Sequence, residues 1–157
     1  MNMTLTTSAP QAHDVMSMWR AERIGIEKLI SELRSAYPPR SQSSLSYALL
    51  QDFVRSLGSH LKGHFDRSSG VYTTIGEQSW CVEVDWAQRS ANANHAHIIQ
   101  RIERLESQAD AADPFAMAGL IEQLEWLFDE LDQHEEREAE SLEWLLQIQC
   151  PGDAVTK

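Results

Sequence analysis

The side chains with chemistry to offer are imidazoles and carboxylates at helical spacings. His134 and Glu138 are four residues apart, His60 and His64 are four apart, and Ser68 follows His64 by another four. A separation of four stacks two side chains on one face of a helix. His95 adds a further imidazole in the third quarter of the chain. Imidazole and carboxylate together suit iron(II) or zinc(II). No Ser/His/Asp nucleophile arrangement and no Gly-rich phosphate loop stands out, so no catalytic residue is assigned and enzymatic activity is not expected.

Four amphipathic segments must position these groups. Hydrophobic periodicity predicts a first helix over about 13–37, ended by Pro38-Pro39, and a second over about 45–67, ended near Ser68-Ser69-Gly70. A third begins between 84 and 91 and runs to about 108. A fourth starts at Asp113-Pro114, as N-cap and first-turn proline, and runs to about 149. The stretch VYTTIGEQSWCVEVDW (71–86) is rich in β-branched and aromatic residues. It reads as a loop with a short helical piece, with a small hairpin as the alternative. The expected architecture is all-α: an antiparallel up-down-up-down four-helix bundle over 13–149, between an N-terminal arm (1–12) and a C-terminal tail (150–157).

Each apolar stripe has a polar interruption. The second helix reads Leu50, Val54, Leu57, Leu61, His64, Ser68, with His60 on the flank. The third reads Ala91, His95, Ile98, Ile102, Leu105. The fourth reads Met117, Leu120, Leu124, Leu127, Leu131, His134, Glu138, Ser141, Leu145. The first reads Met16, Trp19, Arg23, Ile26, Ile30, Leu33. In an antiparallel bundle, early positions on the first and third helices share a level with late positions on the second and fourth. Burying one histidine is ordinary if it is hydrogen-bonded. Three histidines and a carboxylate at one depth point to a shared metal site or polar network, because unpaired buried charge is expensive.

HFDRSSGVY on the second helix, HAHIIQRIERL on the third and HEEREAESL on the fourth resemble the hemerythrin-like (HHE cation-binding) family, over about Trp19 to Leu146. The resemblance implies a bundle holding a non-haem di-iron centre and roles in oxygen binding, oxygen or redox sensing, iron handling, or nitric oxide and peroxide stress. His64, His95, His134 and Glu138 fall on family ligand positions. Ser68 stands where the family has a bridging glutamate, and Arg23 where it has the first-helix histidine. The implied cofactor is therefore iron, mononuclear or as a partial di-iron site, or zinc. His60, His97 or Glu135 enter as ligands only through a register shift. The alternative is a metal-free, partner-binding bundle in which a buried Arg23–Glu138 ion pair replaces the cation. A third reading, a transcription-associated regulator, rests on a short resemblance of Leu49 to Phe65 to bacterial regulators that bind sigma factors.

Composition narrows the partners. The chain has 157 residues, a net charge of −11 and only two cysteines. So acidic a surface suits neither nucleic acid nor anionic membranes, which leaves a protein partner or a homodimer. Without an apolar leader the expected location is the cytoplasm, with Cys81 and Cys150 as reduced thiols. Glu135, Glu136, Glu140 and Glu143 read as a solvated face. Trp80 and Trp86 read as packing residues, Trp126 and Trp144, off the main stripe, as packing within the domain with a flank or dimer contact as the alternative, and Met16, Met18 and Met117 as core filler.

Overall fold

A computed structural model describes residues 12–36, 47–78, 81–111 and 117–148. They form four α-helices: α1 (Ala12–Ala36), α2 (Tyr47–Gln78), α3 (Val82–Asp110) and α4 (Met117–Ile148), with no strand among the described residues. As α2 is followed forwards its partners on α3 run backwards: Arg55 meets Asp110, Lys62 meets Glu103, and Ser69 meets Asn92. The same holds for α1 against α4, where Arg20 pairs with Glu143 and Arg34 with Glu125. Residues 1–11 of the arm, the Pro38-Pro39 stop, the Asp113-Pro114 cap, Trp80 and Cys150 lie outside the described residues.

The stretch after Ser68 is not a loop. It continues α2 for another ten residues, and α3 follows almost at once. The reason is the stripe: Val71, Tyr72 and Ile75 are all buried and carry the core face of α2 onward from Ser68. The Thr73 and Thr74 hydroxyls donate back to the carbonyls of Ser69 and Gly70, sparing the polar groups of two poor helix formers. Burial of each large apolar side chain contributes about 1.5–3 kcal/mol. That outweighs the roughly 1 kcal/mol cost of Gly70 within the helix.

Two apolar cores result. One gathers Ile26, Ile30, Leu50, Val54, Leu57, Leu61, Ile98, Ile102 and the α4 residues from Leu120 to Leu131. The other gathers Met16, Trp19, Val71, Tyr72, Ile75, Val84, Ala87, Ala91, Leu142 and Leu145. Between them every helix turns polar: Glu22 between Trp19 and Ile26, His64 and Ser68 between Leu61 and Val71, His95 between Ala91 and Ile98, and His134 to Glu138 between Leu131 and Leu142. The cores fix the height and rotation of four helices, and the polar groups meet because they occupy the same interval.

Some packing expectations are corrected. Trp86, Trp126 and Trp144 are 71%, 56% and 47% exposed, and Met18 is 62% exposed, so none is core. Each lies off the stripe that faces the bundle, whereas Met16 lies on it and is buried.

Candidate metal centre

The buried polar side chains among the described residues are His64, Ser68, His95, His134, Glu135 and Glu138. Glu138 is the hub. Ser68 Oγ donates to its Oε1, His95 Nε2 lies 3.4 Å from Oε1, and His134 Nε2 lies 3.5 Å from Oε2. The Tyr72 hydroxyl faces the same carboxylate and Ser141. Across the layer, His64 Nε2 is 2.9 Å from Glu135 Oε1, and His64 Nδ1 is 3.6 Å from Glu22 Oε2. The other oxygen of Glu22 is held by Arg67.

Two groups of donor atoms share Glu138. His95, His134 and Glu138 form one; His64, Glu135 and Glu138 form the other. Within each, the ligand atoms lie within 4.8 Å of one another. All five residues are buried, so these groups could hold a metal ion away from bulk water. The first group has the better geometry. A tetrahedral cation with bonds of about 2.0–2.1 Å separates its ligand atoms by roughly 3.4 Å. The 3.4 and 3.5 Å contacts to Glu138 are close to that edge, His95 facing Oε1 and His134 facing Oε2, so a small turn of the carboxylate brings both imidazoles to one cation. In the second group the 2.9 Å contact is an ordinary hydrogen bond, which a cation must open.

Hydrogen bonding leaves this layer unfinished. The buried nitrogen and oxygen atoms without a hydrogen-bond partner among the described residues are Trp19 Nε1, Glu22 Oε2, His64 Nδ1, both ring nitrogens of His95, His134 Nε2, Glu135 Oε2 and Glu138 Oε2. All but Trp19 Nε1, whose ring belongs to the adjoining core beside His64, lie in this interval of the bundle. Orphaned buried polar atoms cost about 1–3 kcal/mol each, and folded proteins seldom concentrate them without a reason. Imidazole nitrogens and carboxylate oxygens held 3.4–3.6 Å apart, too long for hydrogen bonds of ordinary length, are what a cation site requires.

No protein-family model, curated protein or solved structure matches this chain.

The electrostatics agree with the geometry. Burial alone pushes the Glu138 carboxyl up, but the facing His134 and His95 rings and the Ser68 hydroxyl outweigh it, and the group is held far below its ordinary range. Burial likewise opposes charge on His64, yet the hydrogen bond to Glu135 and the charges of Glu135, Glu138 and Glu22 raise its pKa. Burial and the Glu138 charge push the Tyr72 phenol well above its usual value, so it stays a neutral hydroxyl. Phe65 packs against all three rings: flat on His95 with centroids 4.1 Å apart, edge-on to His134 at 5.5 Å, and tilted against His64 at 5.7 Å.

The sequence-derived residues fall into three sets. His64, His95, His134 and Glu138 come together, with Ser68 as a donor to Glu138. They do not surround one point: His64 sits on the Glu135 side of Glu138, away from the His95–His134 pair. His60 and His97 stand outside the layer, exposed, His60 Nδ1 against the Ser56 carbonyl and His97 beside Glu130. Arg23 forms no pair with Glu138; its Nε is 3.0 Å from Glu27 Oε1, one turn along on the half-exposed flank of α1.

Two residues were misread. Glu135 belongs to the layer and is buried, while Glu136, Glu140 and Glu143 of the same presumed face are exposed. Glu22, rather than Arg23, is the first-helix residue that reaches the layer. Periodicity allowed either, since Trp19 plus three is Glu22 and Trp19 plus four is Arg23. The rotation of α1, set by the two cores, turns Glu22 towards His64 and leaves the Arg23 guanidinium, which does not deprotonate, to pair with Glu27 nearer solvent.

Proposed function

We propose that this chain is a divalent-cation-binding, up-down-up-down four-helix bundle of the hemerythrin-like kind, with a reduced donor set. The cation lies between His95, His134 and Glu138. His64 and Glu135 stand on the far side of Glu138 as neutralising partners or as a second half-site. The observation that carries this reading is the concentration of orphaned buried nitrogen and oxygen atoms in the layer, centred on one carboxylate.

Two imidazoles and one carboxylate suit Fe(II) or Zn(II), and three protein ligands leave a coordination position free for a small exogenous ligand. A cation there supplies Lewis-acid chemistry or, as iron, one-electron chemistry. The chain's own residues hold it, fix the carboxylate through Ser68, and exclude bulk water. A role in sensing oxygen, redox state or metal fits a buried site of this kind.

The metal-free reading draws on the hydrogen bonds that stand without a cation, His64 to Glu135 and Ser68 to Glu138. Its Arg23–Glu138 pair is absent, however, and neither nitrogen of the buried His95 ring makes a hydrogen bond, Nε2 standing 3.4 Å from Glu138. Metal analysis decides between the two readings. Untagged protein from iron- and zinc-supplemented medium is expected to carry about one equivalent of metal, lost on chelation and restored on adding Co(II) with visible absorption of a low-symmetry site. A content near zero, with no Co(II) uptake by the chelated protein, rejects the proposal.

A further inference from the structure

We infer that the groove between α2 and α3 is the port through which a divalent cation reaches the buried layer, with Phe65 as its inner gate. The inference rests on reading that layer as a cation site. The groove is open to solvent and has a volume of about 590 Å³. That is ample for a cation with six waters, each occupying about 30 Å³. Its rim carries Lys62 and Asp66 from α2 and Asn92 and Ala96 from α3, and Ser69 bridges the two helices through a 2.8 Å hydrogen bond to Asn92. Its floor is Phe65 and His95, and His95 is one of the three candidate ligands.

The groove therefore ends on the donor set, with one aromatic ring against the imidazole it must expose. Phe65 lies parallel to His95, their planes 10° apart, and reaches His134 with its edge. Rotation of this ring frees the His95 face it covers and the His134 ring that stands perpendicular to it. A second groove, between α3 and α4, runs past Arg101, Arg104, Gln123 and Trp126 and reaches none of the candidate ligands.

Charge selects the species admitted. Lys62 is neutralised by Glu103, its Nζ 3.0 Å from the carboxylate, which leaves Asp66 to give the rim a net negative charge. A negative rim raises the local concentration of a cation and repels an anion, and the effect falls with ionic strength.

Stopped-flow loading of the chelated full-length protein with Co(II), followed by its visible absorption, tests the route. Asn92→Trp fills the rim from an exposed position on α3 and is expected to slow loading at least tenfold at unchanged final stoichiometry. Asp66→Lys is expected to slow it several-fold at low salt, with the difference shrinking as salt is added. Phe65→Leu is expected to speed it several-fold, and Gln123→Trp in the α3–α4 groove to leave it unchanged. Equal loading rates for wild type, Asn92→Trp and Asp66→Lys, at full stoichiometry, overturn the port and leave the cation site standing. Failure of the wild type to take up Co(II) at all overturns both. Should Phe65→Leu not fold, the two rim variants decide alone.

Discussion

Replacing Glu138 with glutamine tests the centre most directly, because the two donor groups share this one residue. A ligand that binds only the folded state stabilises it by RT ln(1 + [L]/Kd), about 2.7 kcal/mol at one hundred times Kd. Unfolding entropy near 2.1 cal/mol/K per residue gives roughly 0.33 kcal/mol/K for this chain, so zinc at that level is expected to raise Tm by about 8 °C. Losing even an outer-shell partner typically weakens metal binding 10- to 100-fold. Glutamine removes the only anion of the His95–His134–Glu138 set, and the upper figure is the least to expect. At the same zinc concentration a 100-fold weaker site yields about RT ln 2, or 0.4 kcal/mol, a shift of about 1 °C. The assay is thermal unfolding followed by circular dichroism, with and without zinc, for wild type, Glu138→Gln and His97→Gln. The exposed His97 lies outside the layer, so its variant is expected to keep the full shift. Each shift is measured within one variant, so any change in intrinsic stability drops out. A Glu138→Gln protein that retains more than half of the wild-type shift refutes the shared-carboxylate geometry.

Ser68→Ala is expected to cost the metal-free protein about 1.5–3 kcal/mol in urea unfolding, the worth of a hydrogen bond to a charged group, because Ser68 is fully buried against Glu138. Gly70→Ala is expected to stabilise the protein by about 0.5–1 kcal/mol, since a Cβ there meets nothing within 4 Å and α2 runs on through this position; a loss of stability in the same urea titration would mean that the helix ends there. The metal-free protein is expected to be most stable between about pH 4.5 and 6.5. The lowered Glu138 pKa contributes stability that is present above 4.5 and fades as pH falls towards its folded value, while the raised His64 pKa contributes stability that is complete below 6.5 and fades as pH rises through its folded value. His64→Gln should flatten the alkaline side of that profile, and an unchanged slope would contradict the His64–Glu135 pairing.

Hydrophobic periodicity was enough to reveal four helices and the depth at which their faces turn polar, but not the full length of α2. Leu57, Leu61, His64 and Ser68 lie on one stripe because a spacing of three and four is a property of the α-helix, and each is buried. His95, His134 and Glu138 were legible for the same reason. The run from Val71 to Ile75 was misread because β-branched and aromatic residues lower local helix propensity; only packing against the second core overrides that, and packing is not a local property. Charge on the flanks was equally undetermined. Glu22 and Arg23 are neighbours on the rim of a stripe, and the rotation of α1 about its axis decides which one faces inward, just as the rotation of α4 buries Glu135 beside His134. That rotation is set by how four helices interlock around two apolar cores, so the tertiary structure alone brought Glu22 and Glu135 to His64, sent Arg23 to Glu27, and divided one anticipated cluster into two around Glu138.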